Sequence, residues 1–132
     1  MLPCLKSETV RFGEALVCRF AGDMILDSEP VAAQALNAAL AQRPGLLAVD
    51  LAEVELLTST GLNLLLTTRR RAMADDVRLV LVAPSERTMR VLDLTGTTDL
   101  FAVHPTVEDA LRGHRPRTPS RPAPLRRQDT SD

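Results

Sequence analysis

Residues 46–51 read Leu-Leu-Ala-Val-Asp-Leu, one carboxylate among five apolar side chains. A strand covered on one face alternates apolar and polar residues, whereas so continuous a run belongs to a strand covered on both. Pro44-Gly45 directly before it ends any preceding helix. After it come a polar break at Ala52-Glu53, the apolar pair Leu56-Leu57, the cluster Thr58-Ser59-Thr60-Gly61 and a helical pattern over 62–74. A turn at Asp75-Asp76 leads into a second buried run, Val-Arg-Leu-Val-Leu-Val at 77–82. Two such strands with a helix between them require a layered α/β arrangement, in which parallel neighbours are joined by right-handed crossovers.

The remaining segments fit that frame. Residues 7–11 and 15–21 read as two strands around Phe12-Gly13-Glu14, with Leu16, Cys18 and Phe20 alternating with Val17, Arg19 and Ala21 in the pattern of a half-buried strand. Gly22-Asp23-Met24-Ile25 ends the second strand. Asp27 or Ser28 is placed to cap a helix that tolerates Pro30 in its first turn and gathers Ala32, Leu36, Ala39 and Leu40 on one face. The helix after Gly61 turns Leu62, Leu65, Leu66 and Met73 inward and carries Arg69-Arg70-Arg71 near its C-terminus, where cations complement the dipole. Pro84-Ser85 opens a short helix to Thr95, stopped by Gly96. Phe101-Ala102-Val103 is a last short strand, and Thr106 with Asp109 forms the frame of a capped helix to about Arg112. The expected fold is α/β: a mixed, mostly parallel sheet whose first strand pairs antiparallel, with about four helices packed against it.

At 132 residues the chain has room for one core, and with three Phe and neither Tyr nor Trp that core is built from Leu, Val, Ala and Met. The last 20 residues, 113–132, differ in kind: five Arg against two Asp, four Pro, and Leu125 as the one large apolar side chain. Such a segment buries too little surface to offset its ordering entropy, so residues 1–112 are expected to form the domain and 113–132 a disordered basic tail. The tail carries a charge of +3 and leaves −4 on the rest, since the whole chain is at −1.

A net charge of −1 gives no reason to expect a nucleic-acid partner. Residues 1–10 lack the long apolar run of a secretory leader, and no run approaches the roughly 20 residues needed to cross a bilayer. A cytoplasmic protein without direct membrane insertion is the expectation. The two cysteines, Cys4 and Cys18, have neither metal-ligand spacing nor the number needed for a disulfide framework, and Cys18 reads as a core residue on a strand.

No catalytic constellation assembles from these residues. There is no phosphate loop, no Gly-x-Ser-x-Gly and no His-Glu-x-x-His, and His104 and His114 stand alone. Asp75-Asp76 is a turn pair rather than an acid–base pair, and Ser59 has no base near it in sequence. No enzymatic activity, metal or cofactor is expected. Ser59 stands where a loop enters a helix, so its hydroxyl is placed to cap the first turn, a bond worth about 1 kcal/mol.

Three stretches in order carry a resemblance. Val49-Asp50-Leu51 with Leu57-Thr58-Ser59-Thr60-Gly61-Leu62, then 90–96 (Arg-Val-Leu-Asp-Leu-Thr-Gly) with Asp99-Leu100-Phe101, and then Glu108-Asp109-Ala110-Leu111 are similar to the signature of STAS domains. The best-known soluble members are bacterial anti-sigma factor antagonists. The likeness covers about residues 7–112, with two departures: Thr58 stands where the family has Asp before its serine, and Ile25 where it often has Asp after Gly22. The resemblance implies a protein that binds an anti-sigma factor of the ATP-binding kinase type when unphosphorylated, so releasing a sigma factor. It implies phosphorylation at Ser59, with Thr58 and Thr60 as alternatives, and a serine phosphatase as a further partner. The implied partner surface is Met24, Ile25, Leu26, Asp27, Leu57, Thr58, Ser59, Thr60, Gly61, Asn63 and Ser85, on a monomer or weak dimer. Met24, Ile25 and Leu26 together are the expected apolar anchor. A STAS subunit of a membrane transporter, docking on its ATPase from the cytosolic side, is the alternative, and a ligand-sensing STAS domain a third.

Overall fold

The structure, a computed structural model, describes residues 5–114. Its elements are β1 (Leu5–Phe12), β2 (Ala15–Met24), α1 (Glu29–Ala41), β3 (Leu46–Leu57), α2 (Ser59–Ala74), β4 (Arg78–Val82), α3 (Glu86–Leu94), β5 (Ala102–His104) and α4 (Val107–Arg112). Single 3-10 turns at Leu26–Ser28 and Thr98–Leu100 precede α1 and β5. The five strands form one sheet in sequence order, β1 antiparallel to β2 and β2 to β5 mutually parallel. Gly13, at φ +62, makes the tight turn between β1 and β2.

Each side of the sheet has its own core. Leu16, Cys18 and Phe20 of β2, Leu47, Val49 and Leu51 of β3, and Leu81 of β4 pack with α1, α2 and α3 through residues such as Leu36, Leu65 and Leu92. The intervening residues, Ala15 and Val17, Leu46 and Ala48, Val80 and Val82, pack with Ala110, Val107 and Leu111 of α4. Three right-handed crossovers between strands laid down in order put α1, α2 and α3 on one face, and α4 serves the other. This explains the unbroken run at 46–51, where every residue is buried. Leu36 and Leu65 are fully buried, and such a leucine contributes about 2 kcal/mol.

The structure corrects several expectations. Ala15, Leu16, Val17 and Cys18 are all buried, so β2 is half-buried only from Arg19 onward; α4 covers its second face before that point. β3 does not stop at Leu51. It runs through the polar stretch to Leu57, because residues 53–57 pair with Ala21–Met24 of β2, with register shifts between Arg19 and Ala21 and between Gly22 and Asp23. β4 pairs with β3 only as far as Asp50, so beyond that point β2 and β3 form a two-stranded ribbon. Met73 is 62% exposed, and Thr68 and Ala72 take the inner positions of α2 instead. Ordered contacts also continue past residue 112. The Gly113 carbonyl accepts from Arg78 Nη1 at 3.3 Å, and His114 Nε2 lies 2.8 Å from Glu14 Oε2 in the β1–β2 turn. The rest of the expected tail, 115–132, lies outside the described residues.

Candidate functional site

β2 and β3 finish side by side, with Met24 opposite Leu57. The Met24 carbonyl accepts two bonds from Thr58, from its backbone N–H at 3.2 Å and its hydroxyl at 3.3 Å. The chain then turns directly into α2. A Cβ on Gly61 would lie 2.7 Å from Leu57 Cδ1 and 2.8 Å from the Met24 carbonyl oxygen. Glycine therefore lets the first turn of α2 sit down on the end of β2.

The loop between β2 and α1 is fixed by Ser28. Its hydroxyl donates to the Asp23 carbonyl at 2.6 Å and accepts from the Ile25 N–H at 3.0 Å, and the residue is 3% exposed. Ser28 does occupy the N-cap position of α1, but its hydroxyl is committed to the loop and does not cap the helix. Sequence reasoning took Ser28 for a cap only and passed over Glu29, which lines a shallow cavity of about 270 Å³ between α1 and α2 with Thr60, Asn63, Leu64 and Thr67. The spacing of Thr60, Asn63 and Thr67 on one face of α2 was the available signal.

Ser59 is not the cap either. Thr58 holds the N-cap position, its side chain bonded to Met24, and Ser59 is the first helical residue. Ser59 is exposed, and its hydroxyl makes no hydrogen bond among the described residues. The cap bond expected of it is replaced by backbone anchoring through Thr58. Thr60 and Asn63 lie beside it on the groove, and Gly61 is buried beneath. Two other expected surface residues are also buried: Met24 is 1% exposed and Leu57 2%. Both face the α1–α3 core, because the register shifts change which residues of the ribbon point inward. The apolar side chains that do reach solvent here are Leu26, 71% exposed, and Leu56, 38%, with Ile25 partly exposed and Asp27 exposed. Ser85 caps a different helix: its hydroxyl accepts from the Thr88 N–H and donates to the Thr88 hydroxyl, both at 3.2 Å.

Charge sets this end of the molecule apart. Residues 22–29 and 50–68 contain Asp23, Asp27, Glu29, Asp50, Glu53 and Glu55 and no Lys or Arg. Asp50, buried, accepts from Arg19 Nε at 3.0 Å and from the Ala52 N–H at 3.0 Å. Its hydrogen bond and then its charge raise the Arg19 guanidinium further above its ordinary value, so Arg19 stays a cation. Glu8 stands 3.7 Å from the same guanidinium. The other five carboxylates form no salt bridge among the described residues. Lys6 on β1 is two strands away from Glu53, with Ala21 between them. The result is an acidic rim on the end of the sheet that also bears the exposed Ser59 hydroxyl, with Leu26 and Leu56 as its exposed apolar elements.

No group of three or more His, Cys, Asp or Glu is placed to hold a metal ion among the described residues, and no described helix is long and apolar enough to cross a membrane. Cys18 is fully buried beside Thr9, whose hydroxyl lies 3.8 Å from its sulfur, and burial pushes its thiol up to about 11. Cys4 lies outside the described residues.

Comparison with known proteins gives a consistent picture. The family model described as STAS domain matches residues 6–110. The anti-sigma-F factor antagonist RsfB of Mycobacterium tuberculosis is 31% identical over 99 residues, which is 75% of this chain and 80% of that protein. The crystal structure of an anti-sigma factor antagonist from Mycobacterium paratuberculosis superposes with a TM-score of 0.76 at 29% identity, covering 83% of this chain and 92% of that one. The anti-sigma factor antagonist SpoIIAA shares the fold at 20% identity, with TM-scores of 0.69 for its unphosphorylated and 0.64 for its phosphorylated form. These two cover 86% and 83% of this chain and 100% and 97% of SpoIIAA.

Proposed function

The chain belongs to the STAS domain family, alongside the anti-sigma factor antagonists, and from that membership we propose that it binds an anti-sigma factor through the end of the sheet that carries Ser59. The partner is an anti-sigma factor of the ATP-binding kinase type. Capturing it releases a sigma factor, so the protein acts in the cytoplasm by binding, as a monomer or weak dimer, without catalysis or cofactor. Phosphorylation of Ser59 by that partner ends the complex, and a serine phosphatase resets it.

The observation that carries this reading is the Ser59 hydroxyl. It is exposed, free of hydrogen bonds among the described residues, and set on a helix start whose backbone is fixed by Met24 and Gly61. A kinase needs such a hydroxyl, and a partner needs such a rigid platform. Thr58 is bonded to Met24, and Thr60 is only partly exposed against the groove, so both are poorer acceptors.

A phosphate on Ser59 adds about −1.5 to −2 charges at pH 7. The start of α2 favours that charge by about 0.3–1 kcal/mol, which leaves the fold standing. The phosphate also joins five carboxylates that form no salt bridge among the described residues, so a partner that matched the unmodified rim meets a much more negative one.

Titration calorimetry against the anti-sigma factor tests this. Ser59→Ala should bind as the parent does and accept no phosphate. Ser59→Glu should keep its melting temperature and bind at least tenfold more weakly, which is about 1.4 kcal/mol. Unchanged affinity of Ser59→Glu would remove this end of the sheet from the interface.

A further inference from the structure

We propose that residues 115–132 dock on the acidic rim of their own chain and so compete with the partner for it. The regulatory meaning rests on the partner surface proposed above; the contact itself needs this chain alone. Three observations lead to it.

The first is charge. Residues 115–132 carry five Arg against two Asp, and the rim carries Asp23, Asp27, Glu29, Glu53 and Glu55 without a salt bridge among the described residues. The second is where the described chain ends. Gly113 and His114 are held by Arg78 and Glu14 at the opposite end of the sheet. That end carries Arg11, Arg43, Arg78 and the run Arg69-Arg70-Arg71 against Glu14, Asp75 and Asp76, so its balance is positive and disfavours an Arg-rich segment leaving from it. Glu14, the carboxylate nearest the exit, is already engaged by His114. The third is reach. Eighteen residues span up to about 60 Å, whereas β3, with 12 residues, is about 40 Å long. A tethered segment able to reach its target acts at millimolar local concentration, enough for weak multi-charge pairing to compete with an external partner. A phosphate on Ser59 strengthens the same contact, because it adds negative charge to the rim and five Arg stand ready to meet it.

The experiment is a two-dimensional NMR comparison of the full chain with a full-length variant carrying Arg115→Ser, Arg117→Ser, Arg121→Ser, Arg126→Ser and Arg127→Ser. At low salt the backbone amides of Asp23, Asp27, Glu29, Glu53, Glu55 and Ser59 should shift between the two proteins. At about 0.5 M NaCl, where screening is nearly complete, the difference should vanish. A synthetic peptide of residues 115–132 titrated into the variant should move the same amides back. Shifts confined to the neighbourhood of Glu14 and His114, or shifts that depend on protein concentration and so report contact between copies, would overturn the proposal. The same spectra report whether each variant is folded. With the anti-sigma factor added, the variant should bind at least about threefold more tightly than the parent. Rim shifts without that gain would leave the contact standing and count against the partner surface instead.

Discussion

The two ends of this sheet are built by opposite means. Where β2 and β3 run on past β4, the structure is held by backbone and hydroxyl groups: Thr58 on Met24, Ser28 on Asp23 and Ile25, and Gly61 against Leu57. Apart from Asp50, which is bonded to Arg19 and the Ala52 N–H, the carboxylates there form no salt bridge among the described residues. At the other end charged side chains do the fastening. Glu14 meets His114, Arg78 holds the Gly113 carbonyl, Arg11 bonds Gln42 at 2.9 Å, and Arg71 bonds Asn37. A binding surface made by the first method keeps its charges available for a partner, because Asp50 with Arg19 is the one charged pair that fastens it among the described residues. An end made by the second method is closed and has less to offer.

The largest expected effect comes from breaking the glycine contact. Gly61→Ala puts a methyl group 2.8 Å from the Met24 carbonyl oxygen, which cannot move aside without opening the ribbon. It should cost about 2 kcal/mol, or roughly 8 °C in Tm by calorimetry. A variant as stable as the parent would show that the first turn of α2 is not seated as described.

Asp50→Ala comes next. It removes the acceptor of both Arg19 and the Ala52 N–H at the point where β4 stops pairing. Arg19 is 45% exposed and regains water, so the loss is about 1.5 kcal/mol. Hydrogen exchange of amides 53–57 should accelerate while that of 78–82 does not; equal acceleration would erase the distinction between ribbon and sheet.

Cys18 supplies a control between the two ends. Its thiol is raised from 9.0 to about 11 in the fold, so the unfolded chain gives up its proton first as pH rises. The Cys18 contribution to stability is therefore constant below pH 9 and falls between pH 9 and 11, by about 1 kcal/mol at pH 10. The chain has no tyrosine, and Cys18→Ala leaves Cys4 and Lys6 in place, so the difference between the two proteins isolates Cys18. Urea unfolding of the parent and of Cys18→Ala across this range should show the fall only in the parent.

The smallest effect is expected at the far end. His114→Ala should lower stability by about 1 kcal/mol, roughly 4 °C, and leave the amides of Ser59 and Thr60 unmoved in an NMR spectrum. Movement there would mean that the two ends are coupled.

Much of this was legible beforehand. The runs at 46–51 and 77–82 name strands covered on both faces, and Thr106 caps α4 as its spacing with Asp109 suggests, with the Asp109 N–H 3.0 Å from its hydroxyl. What escaped was the ribbon. Its alternation is scrambled by two register shifts, so Ala52-Glu53-Val54-Glu55-Leu56 reads as a loop and Met24 as exposed. Such shifts are settled by pairing with β2 and leave no local trace in sequence. The seat of His114 was hidden for a related reason: its partner Glu14 is 100 residues away. Composition describes only the average of a segment, and here its first two residues belong to the fold.

The order of the strands bears on how the chain comes off the ribosome. Because β1 to β5 lie side by side in the order in which they are made, each new strand and helix adds to an edge that is already complete, and none must be threaded between finished neighbours. Such a sheet can grow in step with translation. One fastening has to wait: Glu14 belongs to the first turn of the described fold, and the histidine that closes on it is its last residue. Until that residue clears the exit tunnel, the corner under α4 stays open, even though the ribbon and α2, with Ser59 at its start, were made some 40 residues earlier.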